Sequence, residues 1–166
     1  CTWDTAEDNS ERFLRYGAKD GGFGGEDAPV GIGRLPYRSM DMMGYSCQAR
    51  QTLGEICDLL GEPGGDEWRA KAQAVRDKVR DYLWIDEKDA CYDRDCEGGF
   101  MDVLIHNNLR CMYYGVFSQD MADRFVRSHL LNPEEFWTYV PLPSIAVNDP
   151  CFRNINFNNW SGQPQG

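Results

Sequence analysis

Residues 39–83 read SMDMMGYSCQARQTLGEICDLLGEPGGDEWRAKAQAVRDKVRDYL, and their spacing decides the fold class. Ser39 is placed to cap a helix, with Asp41 in its first turn, where a negative charge meets the positive end of the helix dipole. Met43, Cys47, Leu53, Ile56, Cys57 and Leu60 then recur at helical spacing, and Gly61 closes the run. Gly64-Gly65 supply a turn, after which Trp68, Ala72, Val75, Val79 and Leu83 form a second stripe. Lys and Arg residues are expected to cover the outer face of that second helix. Two helices joined by a short Gly/Pro turn make an αα-hairpin.

Outward from this hairpin the chain repeats the arrangement. Residues 85–100 are polar and irregular. Helical spacing returns at Val103–Tyr114 and again at Ser118–Leu131, where Met121, Phe125 and Leu130 make the apolar stripe. Ser118 and Asp120 are suited to a helix start. After Pro133 the periodicity is lost in a Pro-, Asn- and Trp-rich stretch. Residues 1–38 also lack periodicity and hold the cluster Gly21-Gly22-Phe23-Gly24-Gly25, which reads as a long loop. Long structureless loops are uncommon in compact domains and tend to be functional. The rhythm is loop, hairpin, loop, hairpin, loop, so the fold class is all-α; in a barrel of helical hairpins that rhythm would place the long loops together at one mouth. Alternating runs with tight turns are missing, which disfavours a strand-rich fold.

Composition narrows the partners. The 166 residues are 42% hydrophobic and 27% charged, enough for one globular core. With a formal net charge of -10, the surface repels phosphate backbones, so no nucleic-acid partner is expected. No apolar run approaches the roughly 18–20 residues that span a bilayer, so no membrane partner is expected either. The seven cysteines are odd in number and contain no C-x-x-C pair. Buried, reduced thiols packing as small apolar groups are the simpler reading, and they lean towards a reducing, cytoplasmic compartment. His106 and His129 are the only histidines, without triad or metal-ligand spacing, and are expected to serve packing or surface roles. Gly21–Gly25 precede no strand-then-helix unit that would hold a phosphate. Neither a metal nor a cofactor is expected.

The densest chemistry lies in Trp3-Asp4-Thr5-Ala6-Glu7-Asp8-Asn9-Ser10-Glu11-Arg12-Phe13. Clustered carboxylates raise one another's proton affinity, as does burial against rings, and glycoside hydrolysis needs one carboxylic acid held protonated. On composition alone, a solvated acidic loop with Arg12 pairing locally is the simpler account. Further on stand Tyr92-Asp93-Arg94-Asp95, then Phe136-Trp137, Pro143-Ser144-Ile145-Ala146, Asp149-Pro150 and Asn158-Asn159-Trp160-Ser161-Gly162-Gln163.

In this order the blocks resemble glycoside hydrolase family 63 and the trehalase-like group, six-hairpin (α/α)6-barrel glycosidases that invert the anomeric centre. The resemblance implies that Asp8 is the general acid, with Trp3, Asp4, Arg12 and Phe13 around the substrate. Thr5-Ala6-Glu7 and Glu11 depart from the motif, where a small residue, Gly, an apolar residue and Pro are common. Asp41-Met42-Met43 resembles the group's Asp-Leu-Asn helix opening, so Asp41 either faces the sugar or only stabilises the helix end. Tyr92-Asp93-Arg94-Asp95 resembles a Tyr-Asp-x-Asp segment, whose acids are expected to hold loop backbone or cap a helix. Trp137 and Trp160 are candidate sugar-stacking rings, Trp137 with core packing as its alternative, and Asn159 and Gln163 are candidate donors to hydroxyls.

The group's catalytic base belongs to a later hairpin, so residues 1–166 are expected to be a single partial catalytic domain, truncated at both ends and without that base. The expected partner is a carbohydrate, an α-glucoside or α-mannoside. The alternative from another class is a non-catalytic carbohydrate-binding or scaffold domain of the same fold.

Overall fold

The computed structural model describes residues 40–94, 98–150 and 152, the side chains of Asp41 and Met42 excepted. Helix α1 (Met40–Leu60) and helix α2 (Gly65–Tyr82) form the first hairpin. Gly61 and Gly64 sit at φ +68° and +102°, the left-handed region where a side chain is strained. At Gly54 a Cβ would lie 3.0 Å from the Gly65 carbonyl oxygen, so the two helices close here because no side chain intervenes. Arg69 ties the turn from outside, reaching Asp58 and Asp66 at 2.7 Å each.

The stripe on α2 is buried as expected at Ala72, Val75, Val79 and Leu83, with Trp68 half-buried. That on α1 departs from expectation. Cys47 is fully buried, but Leu53, Ile56 and Leu60 are exposed among the described residues. Two of the cations expected on the outer face of α2 reach across to the second hairpin. Arg76 Nε donates to the Gly115 carbonyl at 2.9 Å and Arg80 Nε to that of Val116 at 3.1 Å. They hold the turn of the second hairpin.

That second hairpin is shorter than its periodicity suggests. Helix α3 spans Asn107–Tyr113 rather than beginning at Val103, and helix α4 spans Gln119–Phe125 before a π-helical turn, Val126–Leu130. Ser118 does cap α4, its hydroxyl accepting from Met121 N at 3.2 Å. Residues 103–106 are apolar enough to mimic a helical stripe, yet Ile105 bridges Ile145 and the His106 amide donates to the Ser144 carbonyl at 3.0 Å. Their backbone groups are satisfied across the fold instead of along a helix.

The irregular connection after α2 contains a small antiparallel pair, β1 (Trp84–Ile85) and β2 (Ala90–Cys91), with Asp89 at positive φ in the turn between them. One core of buried residues joins all these parts, from Met40 and Val79 to Phe125, Phe136 and Ile145. Phe125 lies at its centre, against the rings of Phe117 and Phe136. Among the described cysteines, Cys47, Cys91 and Cys111 are buried and Cys57 is half-buried, in line with the apolar reading of these four. Burial raises the proton affinity of the Cys47 and Cys91 thiols, which keeps them unreactive.

Candidate functional site

Three polar junctions bring the long loops together at the end of the hairpins where α1 and α3 begin. In the first, Asp93 is buried and its Oδ1 accepts from Met40 N at 2.8 Å, so a loop acid caps the helix 53 residues earlier. This is the structural role expected for the Tyr-Asp-Arg-Asp block. Arg94 continues it, its guanidinium lying between the rings of Tyr82 and Phe100 and donating to the carbonyls of Tyr82 and Gly98 at 2.7 Å each.

In the second junction Asn108 is fully buried. Its Oδ1 accepts from Cys91 N at 2.8 Å, while Nδ2 donates to the carbonyls of Cys91 at 3.0 Å and Ile105 at 3.2 Å. One side chain thus replaces a missing strand for both β2 and the segment before α3.

The third joins the strand pair to the last loop. Asp149 Oδ2 accepts from Leu104 N at 2.9 Å, and Ala146 N donates to the Leu104 carbonyl at 3.0 Å. His129, on the π-turn, has Nδ1 2.6 Å from Glu135 Oε2 and Nε2 2.6 Å from the Lys88 carbonyl. Its ring also lies 5.4 Å from that of Phe125, which agrees with the packing role expected of it. Beside it, Ser128 donates to Asp89 Oδ2 at 2.6 Å and Arg124 donates to Asp89 Oδ1 and Asp86 Oδ1 at 2.7 Å each. The hydroxyl of Ser128, then Arg124, hold the Asp89 carboxyl below its ordinary proton affinity, and Arg124 does the same for Asp86.

These contacts border an open cleft of about 490 Å³, lined by Lys88, Tyr92, Leu104, Glu135, Asn148 and Asp149 among others. Tyr92 is 5% exposed, and its phenol is held well above the usual range, first by burial and then by the charges of Asp102, Asp149 and Glu135. It therefore stays an O–H donor throughout the neutral range. The ammonium of Lys88 pairs with Asp102 and lies 4.7 Å from the centre of the Tyr92 ring.

Two of the residues picked out by the sequence fall in the described region. Asp41 is the second residue of α1, in its first turn. Trp137 is 54% exposed while its neighbour Phe136 is fully buried, so core packing under the loop is the work of Phe136 and the indole of Trp137 is open. Asp8, Trp3, Asp4, Arg12, Phe13, Asn159, Trp160 and Gln163 lie outside the described residues, as does the long loop expected before Ser39. Asp93 was expected to hold loop backbone or cap a helix, but Asn108, His129 and Glu135 were not read as organisers of the loops, because Asn108 and the Nε2 side of His129 find their partners far away in sequence. Among the described residues no group of acids, cysteines and histidines is arranged to hold a metal ion, and no helix is long and apolar enough to cross a membrane.

Comparison with known proteins bears on this arrangement. The sequence model of a family described as the mannosylglycerate hydrolase MGH1-like glycoside hydrolase domain matches residues 2–164. Among solved structures, the neutral trehalase Nth1 from Saccharomyces cerevisiae is similar with a TM-score of 0.64 at 13% identity, over 74% of this chain and 24% of that one. An uncharacterized conserved protein from Thermus thermophilus gives 0.58 at 19% identity, over 74% and 30%. A GH63 mannosylglycerate hydrolase from the same organism gives 0.55 at 19% identity, over 68% and 27%. The chain therefore spans between about a quarter and a third of the length of these proteins. At such identities the likeness is one of fold, that of the helical-hairpin (α/α)6 barrel.

Proposed function

From the premise that the chain belongs to the mannosylglycerate hydrolase MGH1-like glycoside hydrolase domain family, we propose that it serves the hydrolysis of an α-glucosidic or α-mannosidic bond, with Asp8 as general acid. The observation that carries this reading is the family match over residues 2–164, which takes in the whole Trp3–Phe13 motif. Asp8 would protonate the leaving glycosidic oxygen, while a carboxylate supplied from outside this chain activates water on the opposite face of the sugar. Inversion needs those two groups roughly 6.5–9.5 Å apart, which leaves room for the water.

Around the acid, Trp3, Asp4, Arg12 and Phe13 would shape the pocket, with Asp41 at the mouth end of α1. Trp137 and Trp160 would offer flat apolar faces to the sugar, and Asn159 and Gln163 hydrogen bonds to its hydroxyls. The exposure of Trp137 supports its part in this set. Mannosylglycerate and trehalose, the substrates in the names of two similar structures, are the first compounds to try.

The test is turnover of a panel of α-glucosides and α-mannosides by the longest natural form of the protein beside its Asp8→Asn variant. Loss of a general acid lowers the rate by about 10²–10⁴-fold. Equal turnover in both forms removes Asp8 from the mechanism. Sugar binding without turnover in either form favours a non-catalytic carbohydrate-binding domain.

A further inference from the structure

His129 stands where the π-turn, the strand pair and the last loop meet, and its ring faces an acceptor on each side. Nε2 lies 2.6 Å from the Lys88 carbonyl oxygen, and Nδ1 lies 2.6 Å from Glu135 Oε2. A carbonyl oxygen only accepts, so Nε2 carries a proton. A carboxylate also only accepts, so the short Nδ1 contact holds a second proton. A neutral imidazole has a single N–H and serves one of these partners, turning a lone pair on the oxygen of the other. The arrangement therefore contains one proton more than a neutral ring beside a carboxylate. Placing that proton on Glu135 leaves the count unchanged.

The pair is shielded and tied to the loop behind it. The side chains of His129 and Glu135 are 12% and 13% exposed, and the Phe125 ring stands 5.4 Å from the imidazole. The Glu135 carbonyl accepts from Val147 N at 3.2 Å, and that of Glu134 accepts from Asn148 N at 3.1 Å. The second oxygen of Glu135 receives only a long contact, 3.4 Å, from Asn148. A change at Nδ1 is thereby passed to residues 147 and 148.

Among the described residues, the other charged groups around the pair are already engaged or face solvent. On the strand turn, the Lys88 ammonium pairs with Asp102, and Asp89 is held by Arg124 and Ser128. On the helix, Arg124 also reaches Asp86, and Arg127 reaches Asp123. In the last loop, Asp149 accepts the Leu104 amide. Glu87 and Glu134 are exposed. Tyr92 stays protonated and Asp89 ionised through the neutral range. Imidazole is the side chain that ordinarily changes charge between about pH 5 and 8.

We propose that His129 and Glu135 form a proton-dependent latch. While the shared proton is present, the last loop is clasped to the turn of the strand pair, and loss of the proton as pH rises releases the loop. The loop so controlled carries the open indole of Trp137, so the latch governs how firmly that ring is placed. The proposal makes no use of Asp8 and stands apart from the glycosidase reading.

The experiment follows amide exchange in the longest natural form of the protein from about pH 5 to about pH 9, each rate divided by the intrinsic rate at that pH. Protection at Val147 and Asn148 is expected to fall about 10-fold as pH rises, while α2 keeps its protection. A glutamine amide can donate to an unprotonated Nδ1 while Nε2–H still serves Lys88. Glu135→Gln should therefore hold the loop across the whole range, with protection changing by less than about 2-fold. Protection at Val147 and Asn148 that ignores pH in the unmodified protein would overturn the proposal. So would an equal fall along α2, which marks global loosening, or a fall undiminished in Glu135→Gln. The first two outcomes are read from the unmodified protein and decide the matter even where the variant does not fold.

Discussion

Helices α1 and α2 meet through residues spaced by the helix period and joined by a turn of a few residues, whereas the loop at 83–106 is tied to α1, to α3 and to the loop at 131–150 by single side chains whose partners stand 17 to 53 residues away, and by backbone bonds from 104–106 to 144–146. The hairpin is held by apolar burial and by glycines that permit close approach, as at Gly54. The loops are held by buried polar groups, Asp93 and Asn108, that take over hydrogen bonds which no regular element provides. The two kinds of cohesion fail differently. Burial degrades in proportion to what is removed, but a buried hydrogen-bond hub leaves every partner unsatisfied at once.

The largest effect should follow where both kinds meet. Phe125→Ala empties the contact between Phe117 and Phe136, and should cost about 3–5 kcal/mol in denaturant unfolding. Asn108→Ala comes next, since it strands the Cys91 amide and carbonyl. A loss of about 2–4 kcal/mol is expected, with amide exchange quickened at Cys91 and Leu104 rather than along α2. Uniform quickening through α2 as well would mean that the loops and the hairpin are a single cooperative unit. Ser118→Ala removes the cap of α4 and should cost about 1 kcal/mol.

Acid should sharpen the contrast further. The Asp89 carboxyl is depressed in the fold by Ser128 and Arg124, so its stabilising contribution is present above the unfolded value of about 4 and is lost as pH falls through the lower folded value. Asp89→Asn should flatten the acid limb of stability, read as thermal midpoint against pH, while the variant and the parent converge at low pH. The smallest effect is expected at Arg69, whose pairs with Asp58 and Asp66 are solvent-exposed. Arg69→Ala should leave the midpoint nearly unchanged, and any difference should vanish in high salt.

The site was legible in the sequence to a different degree from the fold. The motif from Trp3 to Phe13 and the blocks after Pro133 pointed to a glycoside hydrolase family, which the family match over residues 2–164 supports. Trp137 was left open between a sugar-facing ring and a core ring, and neighbouring Phe136 resolved its burial, because these two successive residues of the loop face opposite ways. His129 and Glu135 gave no signal. They are six residues apart in a stretch that reads as the end of a helix, and a π-turn is what sets the ring against both Glu135 and the Lys88 carbonyl.

By itself the sequence determined what a local rule can determine. It set the extents of α1 and α2, the glycine turn between them, the Ser118 cap and the buried stripe of α2, since each depends on residues within a turn or two of one another. The tertiary structure decided where competing local preferences were settled by distant partners. Residues 103–106 forgo a helix because Ser144 and Ile145 pair with them, and Arg76 and Arg80 find acceptors in the carbonyls at 115 and 116, far away in sequence. For residues 103–106 the physical reason is burial. A backbone group buried by the fold must be hydrogen-bonded, and the nearest available partner in space outranks the nearest in sequence.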